Sequence, residues 1–384
     1  MTLKKWFRLA LIFSAICSII GLIYYFNLSN RHKAIVKTRL LHFFHIIDSE
    51  WSTKLTPLSI EIESPSFLID GIYKSMEGPK AVHYFKADKV RNDLLWMTGF
   101  QVTALSQKSK DKISNDFICH TNINYIEQEH HDRWNLKDRI NLQYPRLISL
   151  SHGIESMNFP EGYGFPFFAN EKFFLITQSL NHNISDSIFQ LKHHISIKYK
   201  SDRLKPLMPK TVYMQIPFSK DQIKDSEIGK IEMNTCIPVE TKNHTYTDGQ
   251  GNLLSGHWKI NLGKQEFKSN ITDQLSLKDT LRVHQITPHL HPFAETFALR
   301  DITANKVLFN CKVINHKNKI GLSRTPAFSS VEGILLYPDH DYELLLRTNN
   351  TTNDIQDMMA SMFMFFYDDE MADKINNNKI KFEN

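Results

Sequence analysis

The sequence predicts an all-β protein, with two antiparallel, jelly-roll-like β-sandwich domains that follow an N-terminal transmembrane helix. Short runs of alternating apolar and polar residues recur from Leu55 onwards, and Pro, Gly, Asn and Asp separate them. This pattern is typical of sandwich and jelly-roll strands. No long helical period follows residue 54, and an uncharged apolar run lies near the N-terminus.

The N-terminal segment combines a basic start with an apolar core. Basic residues within Lys4–Arg8 precede an uncharged run from Leu9 to Phe26, whose length is at the lower edge for a helix that spans a bilayer. No small-x-small cleavage site follows, and aromatic residues typical of a membrane interface end the run. These features favour a signal-anchor over a cleaved signal peptide. We therefore expect the large C-terminal part to be exported, to a periplasmic, extracellular or lumenal space.

Changes in composition divide the chain into segments. The charged, Pro-containing stretch Ser201–Pro209 indicates a linker between domains, and the Asn- and Lys-rich C-terminus indicates disorder. The predicted segments are a transmembrane segment over 1–26, a helical stalk over 27–54, an N-terminal sandwich over 55–205, a C-terminal sandwich over 206–370 and a flexible tail over 371–384.

Composition and motifs exclude several classes of function. The chain has 384 residues, of which 41% are hydrophobic and 23% are charged, as in globular proteins. Its net charge of +5 is spread along the sequence, so nucleic-acid binding is not expected. Dinucleotide-binding, P-loop, serine-hydrolase and zinc-protease motifs are also missing from the sequence.

The chemistry-bearing residues concentrate near the C-terminus. His289 and His291 are two residues apart in an apparent strand, so their imidazoles point to the same side and can bind one metal ion together. A methionine-rich segment from Asp357 to Tyr367 follows. Imidazole suits copper, zinc, iron and nickel, and a thioether adds a preference for copper. Either pattern alone also fits a non-functional interpretation, because H-x-H occurs by chance and methionine fills cores.

The order of these pieces resembles the C-terminal domain of the copper type II, ascorbate-dependent monooxygenases. That family includes peptidylglycine α-hydroxylating monooxygenase and dopamine β-hydroxylase. The resemblance covers roughly residues 275–370. It is carried by a strand start at Leu281–His284, the H-x-H pair at His289–His291, an acidic-Met segment at Asp357–Ala360 and an aromatic strand at Phe363–Tyr367.

The resemblance implies a copper site that binds dioxygen and hydroxylates an activated C–H bond, with ascorbate as the reductant. His289, His291 and Met359 match the family's ligands. His284 is a rival ligand because it precedes the H-x-H pair, and Met358 is a rival to Met359. Only one of these two methionines can face the site, since neighbours on a strand point to opposite sides.

The first domain matches the same family only in part. There, the resemblance implies a second copper that donates an electron, held by an adjacent His-His pair and a third histidine. Here the corresponding segment has Cys119 and His120, and His182 lies two residues beyond the later strand. A cysteine and a histidine can bind copper, because thiolate is a soft ligand, but we favour packed strand residues. The first domain is thus predicted to be a degenerate copper domain.

Three functions remain open on sequence alone. The first is a membrane-anchored copper monooxygenase acting on an unidentified small-molecule or peptide substrate. The second is a protein that handles copper without hydroxylation. The third is a non-catalytic double sandwich that binds partners at the cell envelope.

Overall fold

The computed structural model describes residues 3–218 and 253–377, and it confirms the all-β prediction, with antiparallel strands following two N-terminal helices. The helices are α1 (Leu3–Asn27), α2 (Asn30–Phe43), α3 (Glu127–Trp134), α4 (Thr272–Leu275) and α5 (Asp369–Asn376). Two short 3-10 helices cover Asn115–Phe117 and Lys137–Arg139.

The first sandwich uses the strands up to residue 200. They are β1 (Ser52–Leu55), β2 (Ser59–Glu63), β3 (Phe67–Ile69), β4 (Lys80–Phe85), β5 (Leu94–Ser106), β6 (Ile118–Tyr125), β7 (Arg146–Leu150), β8 (Ser156–Asn158), β9 (Tyr163–Phe168), β10 (Phe173–Ser179) and β11 (Phe189–Lys200).

The second sandwich and its attachments use the remaining strands. They are β12 (Lys205–Tyr213), β13 (Ile216–Phe218), β14 (Leu253–Ser255), β15 (Trp258–Ile260), β16 (Gly263–Asn270), β17 (Leu281–Leu290), β18 (Ala294–Asp301), β19 (Lys306–Lys312), β20 (Ile314–Asn315), β21 (Leu322–Arg324), β22 (Phe328–Leu336), β23 (Tyr342–Asn350), β24 (Gln356–Met358) and β25 (Ala360–Tyr367).

One long sheet runs through both sandwiches. Its strand order is β1-β2-β11-β5-β9-β12-β25-β17-β22, and a short parallel pairing between β9 and β12, which aligns Lys205 with Tyr163, joins the two halves. A four-stranded sheet, β4-β10-β6-β7, completes the first sandwich, and the sheet β16-β23-β18-β19 completes the second. The predicted linker Ser201–Pro209 therefore overlaps β12, which begins at Lys205 and continues the sheet.

Strand β25 is buried on both faces. Its residues Phe363 and Phe365 belong to the core of the first sandwich, whereas Met362, Met364 and Phe366 belong to the core of the second. Because side chains alternate along a strand, one continuous apolar sequence supplies two cores at once. The two sandwiches thus share a strand and are not joined by a tether alone.

The N-terminal helices form an exposed rod and a docked helix. One helix among the described residues, over Lys5–Asn27, is long and apolar enough to cross a membrane, and none of the residues in its most apolar stretch is buried against the described part of the molecule. This helix is compatible with a membrane anchor or a signal sequence. Ser29 begins α2 by accepting a hydrogen bond from the His32 backbone N–H, which satisfies one free helix donor. Ala34 and Thr38 then bury one side of α2.

The segment after Glu370 differs from the predicted flexible tail. Helix α5 covers its first part, and Met371 and Ile375 pack in a cluster with Trp96 and Trp134. The Asp368 side chain accepts a hydrogen bond from the Met371 backbone N–H and so caps this helix. The polar composition of the C-terminal segment predicted disorder, although Met371 and Ile375 are four residues apart, which is a helical spacing. Residues 378–384 of the predicted tail lie outside the described part of the chain.

We predict that the two sandwiches unfold together. Phe365→Ala should remove buried contacts from the core of the first sandwich, on the strand that both sandwiches share. This substitution should lower the free energy of unfolding by about 3–5 kcal/mol. Tryptophan fluorescence reports on both domains, because Trp96 lies in the first sandwich and Trp258 in the second. Urea unfolding of the variant should therefore show a single fluorescence transition, at a lower urea concentration than for the unmodified chain. Val307→Ala, at a half-exposed position of β19, is the control and should change stability by about 0.5 kcal/mol or less. Two separate transitions would contradict the shared-strand interpretation.

Candidate metal centre between the two sandwiches

The H-x-H pair lies where β17 ends beside the start of β25. His289 is opposite Ser361 and Leu290 is opposite Ala360, where the paired residues end. Continuing the same register by one step would place Met359 opposite His291. The rings of His289 and His291 have centroids 6.2 Å apart. Residues two apart on extended backbone share a face, so His289 and His291 lie on one side of the sheet, and the extended register predicts Met359 on the same side.

The two rival ligands lie elsewhere. Met358 pairs with Trp258 and is fully buried in the second core, whereas Met359 is not part of that core. His284 is the unpaired extra residue of a bulge between Val283 and Gln285. Its Nδ1 donates a hydrogen bond of 3.0 Å to the Ser330 carbonyl. Alternation and the bulge therefore separate both rivals from the H-x-H face.

The cavity beside His284 is distinct from this centre. His284 stacks on Tyr163 with ring centroids 4.2 Å apart, and both line a cavity of about 350 Å³ with Arg282 and Lys205 on its rim. Burial lowers the pKa of His284, and the nearby Arg282 and Lys205 lower it further, against a hydrogen bond to Ser330 that raises it. His284 thus belongs to a separate, partly cationic pocket.

His257 and Asp357 extend the centre, and the sequence did not indicate either as a site residue. The His257 ring lies 6.0 Å from that of His291, and its Nε2 is 3.9 Å from Asp357 Oδ1. Lys259 forms an ion pair of 2.6 Å with the same carboxylate. Pairing of β15 with β24 brings His257 here, and such long-range pairing has no local sequence signal.

The first-domain residues Cys119 and His120, for which we favour packed strand positions, are both buried on β6. Cys119 is the extra residue of a β-bulge on β6, because Gln178 pairs with His120 and Ser179 pairs with Ile118. The Cys119 thiol accepts a hydrogen bond from the Met76 backbone N–H at 3.3 Å. His182 instead lies near His152, with ring centroids 6.4 Å apart. In the described part of the chain, Nε2 of both rings is buried without a hydrogen-bond partner.

Burial keeps these histidines neutral. It lowers the pKa of His291 to about 3, and His257 lowers it further while Asp357 opposes. Burial also lowers the pKa of His120 to about 3, and that of His289 well below its ordinary value, with His291 and His120 adding to the effect. Charged imidazoles would be costly in such surroundings. Neutral rings keep a nitrogen lone pair available for a metal ion.

Hydrogen bonds define which nitrogens are free. The His291 Nδ1 faces the Asp357 carbonyl oxygen at 3.3 Å, so Nδ1 carries the proton and Nε2 keeps its lone pair. The His289 Nδ1 is buried and has no partner among the described residues. Within the same residues, no three His, Cys, Asp or Glu side chains form a group that could hold a metal ion. The Met359 thioether stays a predicted third ligand.

Comparisons with known proteins do not identify a family. No family model and no curated protein matches the chain. Weakly similar solved structures include the major capsid protein P2 of bacteriophage PM2, with a TM-score of 0.27 and 9% identity over 79% of this chain and 96% of that one. The infectious bursal disease virus VP2 subviral particle has a TM-score of 0.18 and 7% identity over 86% of this chain and 76% of that one. The PBSX exported protein XepA has a TM-score of 0.18 and 6% identity over 78% of this chain and 86% of that one. These scores carry no argument about the function of this chain.

We predict that acid destabilises the metal-free protein through these histidines. The unfolded chain takes up protons below about pH 6.5, whereas the pKa of folded His291 is lowered to about 3. Stability is therefore fully present above pH 6.5 and falls as the pH decreases through this window, by about 1.4 kcal/mol per pH unit for each such histidine.

Urea unfolding between pH 7 and 5, with chelator present, measures this slope. His289→Gln should reduce the slope by about one proton, or about 1.4 kcal/mol per pH unit. Ser361→Ala changes a neighbour of His289 that does not titrate, so it should leave the slope unchanged whatever it does to stability. An unaltered slope in His289→Gln would show that His289 is not held neutral by the fold.

Proposed function

We propose that this chain is a membrane-anchored copper-binding protein, with one copper ion held by His289, His291 and Met359. The observation that supports this most is the buried His289 Nδ1, which has no hydrogen-bond partner among the described residues and shares a face with His291 and, by the extended register, with Met359. A buried polar atom without a partner destabilises the fold by about 1–3 kcal/mol, and a metal ion would supply the missing interaction.

The donor set favours copper over the other metals. Two neutral imidazoles and one thioether form a soft, uncharged set, which suits copper(I) better than zinc, magnesium or calcium. Asp357 supports the set, because its backbone carbonyl fixes the tautomer of His291. Both histidines are nearly buried, so the surrounding strands limit the access of water.

We propose copper-dependent hydroxylation as the activity. Copper bound at this centre would supply the dioxygen chemistry needed to hydroxylate an activated C–H bond, as the resemblance to the ascorbate-dependent monooxygenases implies. The contribution of the chain is to hold the soft ligands in place and to keep His289 and His291 unprotonated. The substrate would be a small molecule or a peptide.

A copper-handling role without hydroxylation is the alternative. It is favoured by the first domain, where the Cys119 thiol accepts a hydrogen bond from the Met76 backbone N–H and His182 lies beside His152, so these residues offer little support for an electron-donor site. Oxygen uptake with ascorbate and candidate substrates separates the two functions. Uptake that depends on both ascorbate and substrate supports hydroxylation, and its absence in a copper-loaded protein supports copper handling.

We also propose that α1 remains as a membrane anchor and that the two sandwiches are exported. The apolar length of α1 and the lack of burial along its most apolar stretch support this placement. A soluble helix with such a surface would expose large apolar side chains to water along its whole length.

We predict that copper binding requires His289 and not His284. Competition titration of the full chain in detergent with copper(I) should give about one ion per chain. His289→Ala should weaken binding by at least about tenfold, because losing even a supporting residue typically costs 10–100-fold. His284→Ala is the matched control, since it removes a buried histidine from the same strand. Equal affinities in the two variants would rule out the proposed centre.

We predict that Met359 and Met358 differ in the same titration. Met359→Leu should lower the copper(I) affinity by at least about tenfold and the copper(II) affinity less, because the thioether prefers the softer ion. Met358→Leu should keep the copper(I) affinity, since this residue packs in the second core and a swap of similar volume costs under about 1.5 kcal/mol in stability. A loss of affinity in Met358→Leu alone would reverse the assignment.

A further inference from the structure

Helix α2 has a second apolar face that the protein domains leave uncovered. Its buried side is formed by Ala34 and Thr38. Val36, Leu40 and Phe43, spaced four and three residues apart, share the opposite side. Leu40 is 51% exposed and Phe43 is 76% exposed. The helix therefore presents one apolar stripe to the first sandwich and another to its surroundings.

The exposed stripe continues beyond the end of the helix. Phe44 and Ile46 are each more than 60% exposed, so four large apolar side chains within seven residues face outwards. Single exposed apolar residues are ordinary on protein surfaces, but a contiguous group marks an interaction site or a membrane contact.

Contacts on the buried side fix the direction of the stripe. The Lys37 Nζ forms an ion pair of 2.6 Å with Asp70 and also contacts the Tyr73 hydroxyl. Further along the helix, the His42 Nε2 is 2.9 Å from the Ser66 carbonyl oxygen. Because the middle and the C-terminal end of α2 are held against the first sandwich, Leu40 and Phe43 cannot turn inwards without breaking these contacts.

Charge along α2 indicates the chemistry of the partner. The helix contains the basic residues Arg31, Lys33, Lys37 and Arg39 and no Asp or Glu. At 100° per residue, Lys33 and Arg39 lie on the two borders of the apolar stripe. An apolar stripe with basic borders is the pattern of helices that lie in the interface of an anionic membrane.

The position of α2 in the chain places such a membrane beside it. Helix α1 ends at Asn27 and α2 begins at Asn30, so at most about 11 Å of chain separates them. If α1 spans a bilayer, the headgroup region begins next to the start of α2. This step rests on the proposed anchoring by α1 and is independent of copper.

We propose that the outer face of α2, together with Phe44 and Ile46, lies in the interface of the anionic phospholipid bilayer that contains α1. The phenylalanines and Leu40 enter the boundary between headgroups and acyl chains, and Lys33 and Arg39 contact the phosphates. This second attachment holds the first sandwich at a fixed orientation on the membrane surface.

Fluorescence quenching in the full chain tests the proposal. Phe43→Trp is reconstituted in vesicles of phosphatidylcholine and phosphatidylglycerol that carry brominated acyl chains, and its emission is compared with that of the unmodified chain. The added tryptophan should be quenched by the bromolipid and protected from iodide in the water. Tyr84→Trp, at a half-exposed aromatic position of β4, is the matched control and should show the reverse.

The native tryptophan in α1 separates failure of the anchor from failure of α2. Trp6 lies within α1, so the unmodified chain should lose bromolipid quenching when Trp6→Phe is introduced. If Trp6 is quenched but the tryptophan at position 43 responds only to iodide, the anchor stands and the proposal for α2 is wrong. If Trp6 is not quenched, both are wrong. Equal quenching at position 43 in pure phosphatidylcholine would overturn the role of the basic borders.

Discussion

The burial of β25 on both faces is the constraint on which the rest of the structure depends. Phe363 and Phe365 fill one core while Met362 and Met364 fill the other, so neither sandwich can move away without exposing this strand to water. Closely packed protein interiors have low compressibility, so a displacement on one side of the strand is transmitted to the other side. The same strand pairs with β17 and places Ser361 opposite His289. The geometry of the candidate centre is therefore set by the element that joins the two domains.

A polar surface is enclosed between the sandwiches, and neutral histidines make this possible. His120, Asn122 and Asn124 share one face of β6 and are all nearly buried; Asn124 accepts a hydrogen bond of 3.1 Å from the Arg146 Nε. His120 and Arg146 both lower the pKa of His289, which shows that this face lies close to the H-x-H pair. Protonated imidazoles here would each carry a large desolvation cost, so the interface is compatible only with unprotonated rings.

The sequence predicts features that depend on local periodicity and misses those that depend on distant pairing. The strand class, the shared face of His289 and His291, and the opposite directions of Met358 and Met359 all follow from a period of two residues. The place of His257 could not be predicted, because it depends on the pairing of Trp258 with Met358. Polar composition also outweighed the helical spacing of Met371 and Ile375, so the order of α5 was missed.

The two histidine pairs between the sandwiches offer a metal ion different surroundings. His152 and His182 come from turns of one domain, and their free Nε2 atoms are buried; the nearby Cys119 thiol faces the Met76 backbone instead. His289 and His291 extend from a paired strand, and Met359 follows from the neighbouring one. A thioether ligand beside histidines on paired strands would add metal affinity with little loss of conformational entropy. Histidines on turns would have to be ordered by the metal ion itself, which would reduce the affinity. If the chain binds copper as we propose, strand pairing favours the second domain as its place, even though both pairs have unprotonated nitrogens.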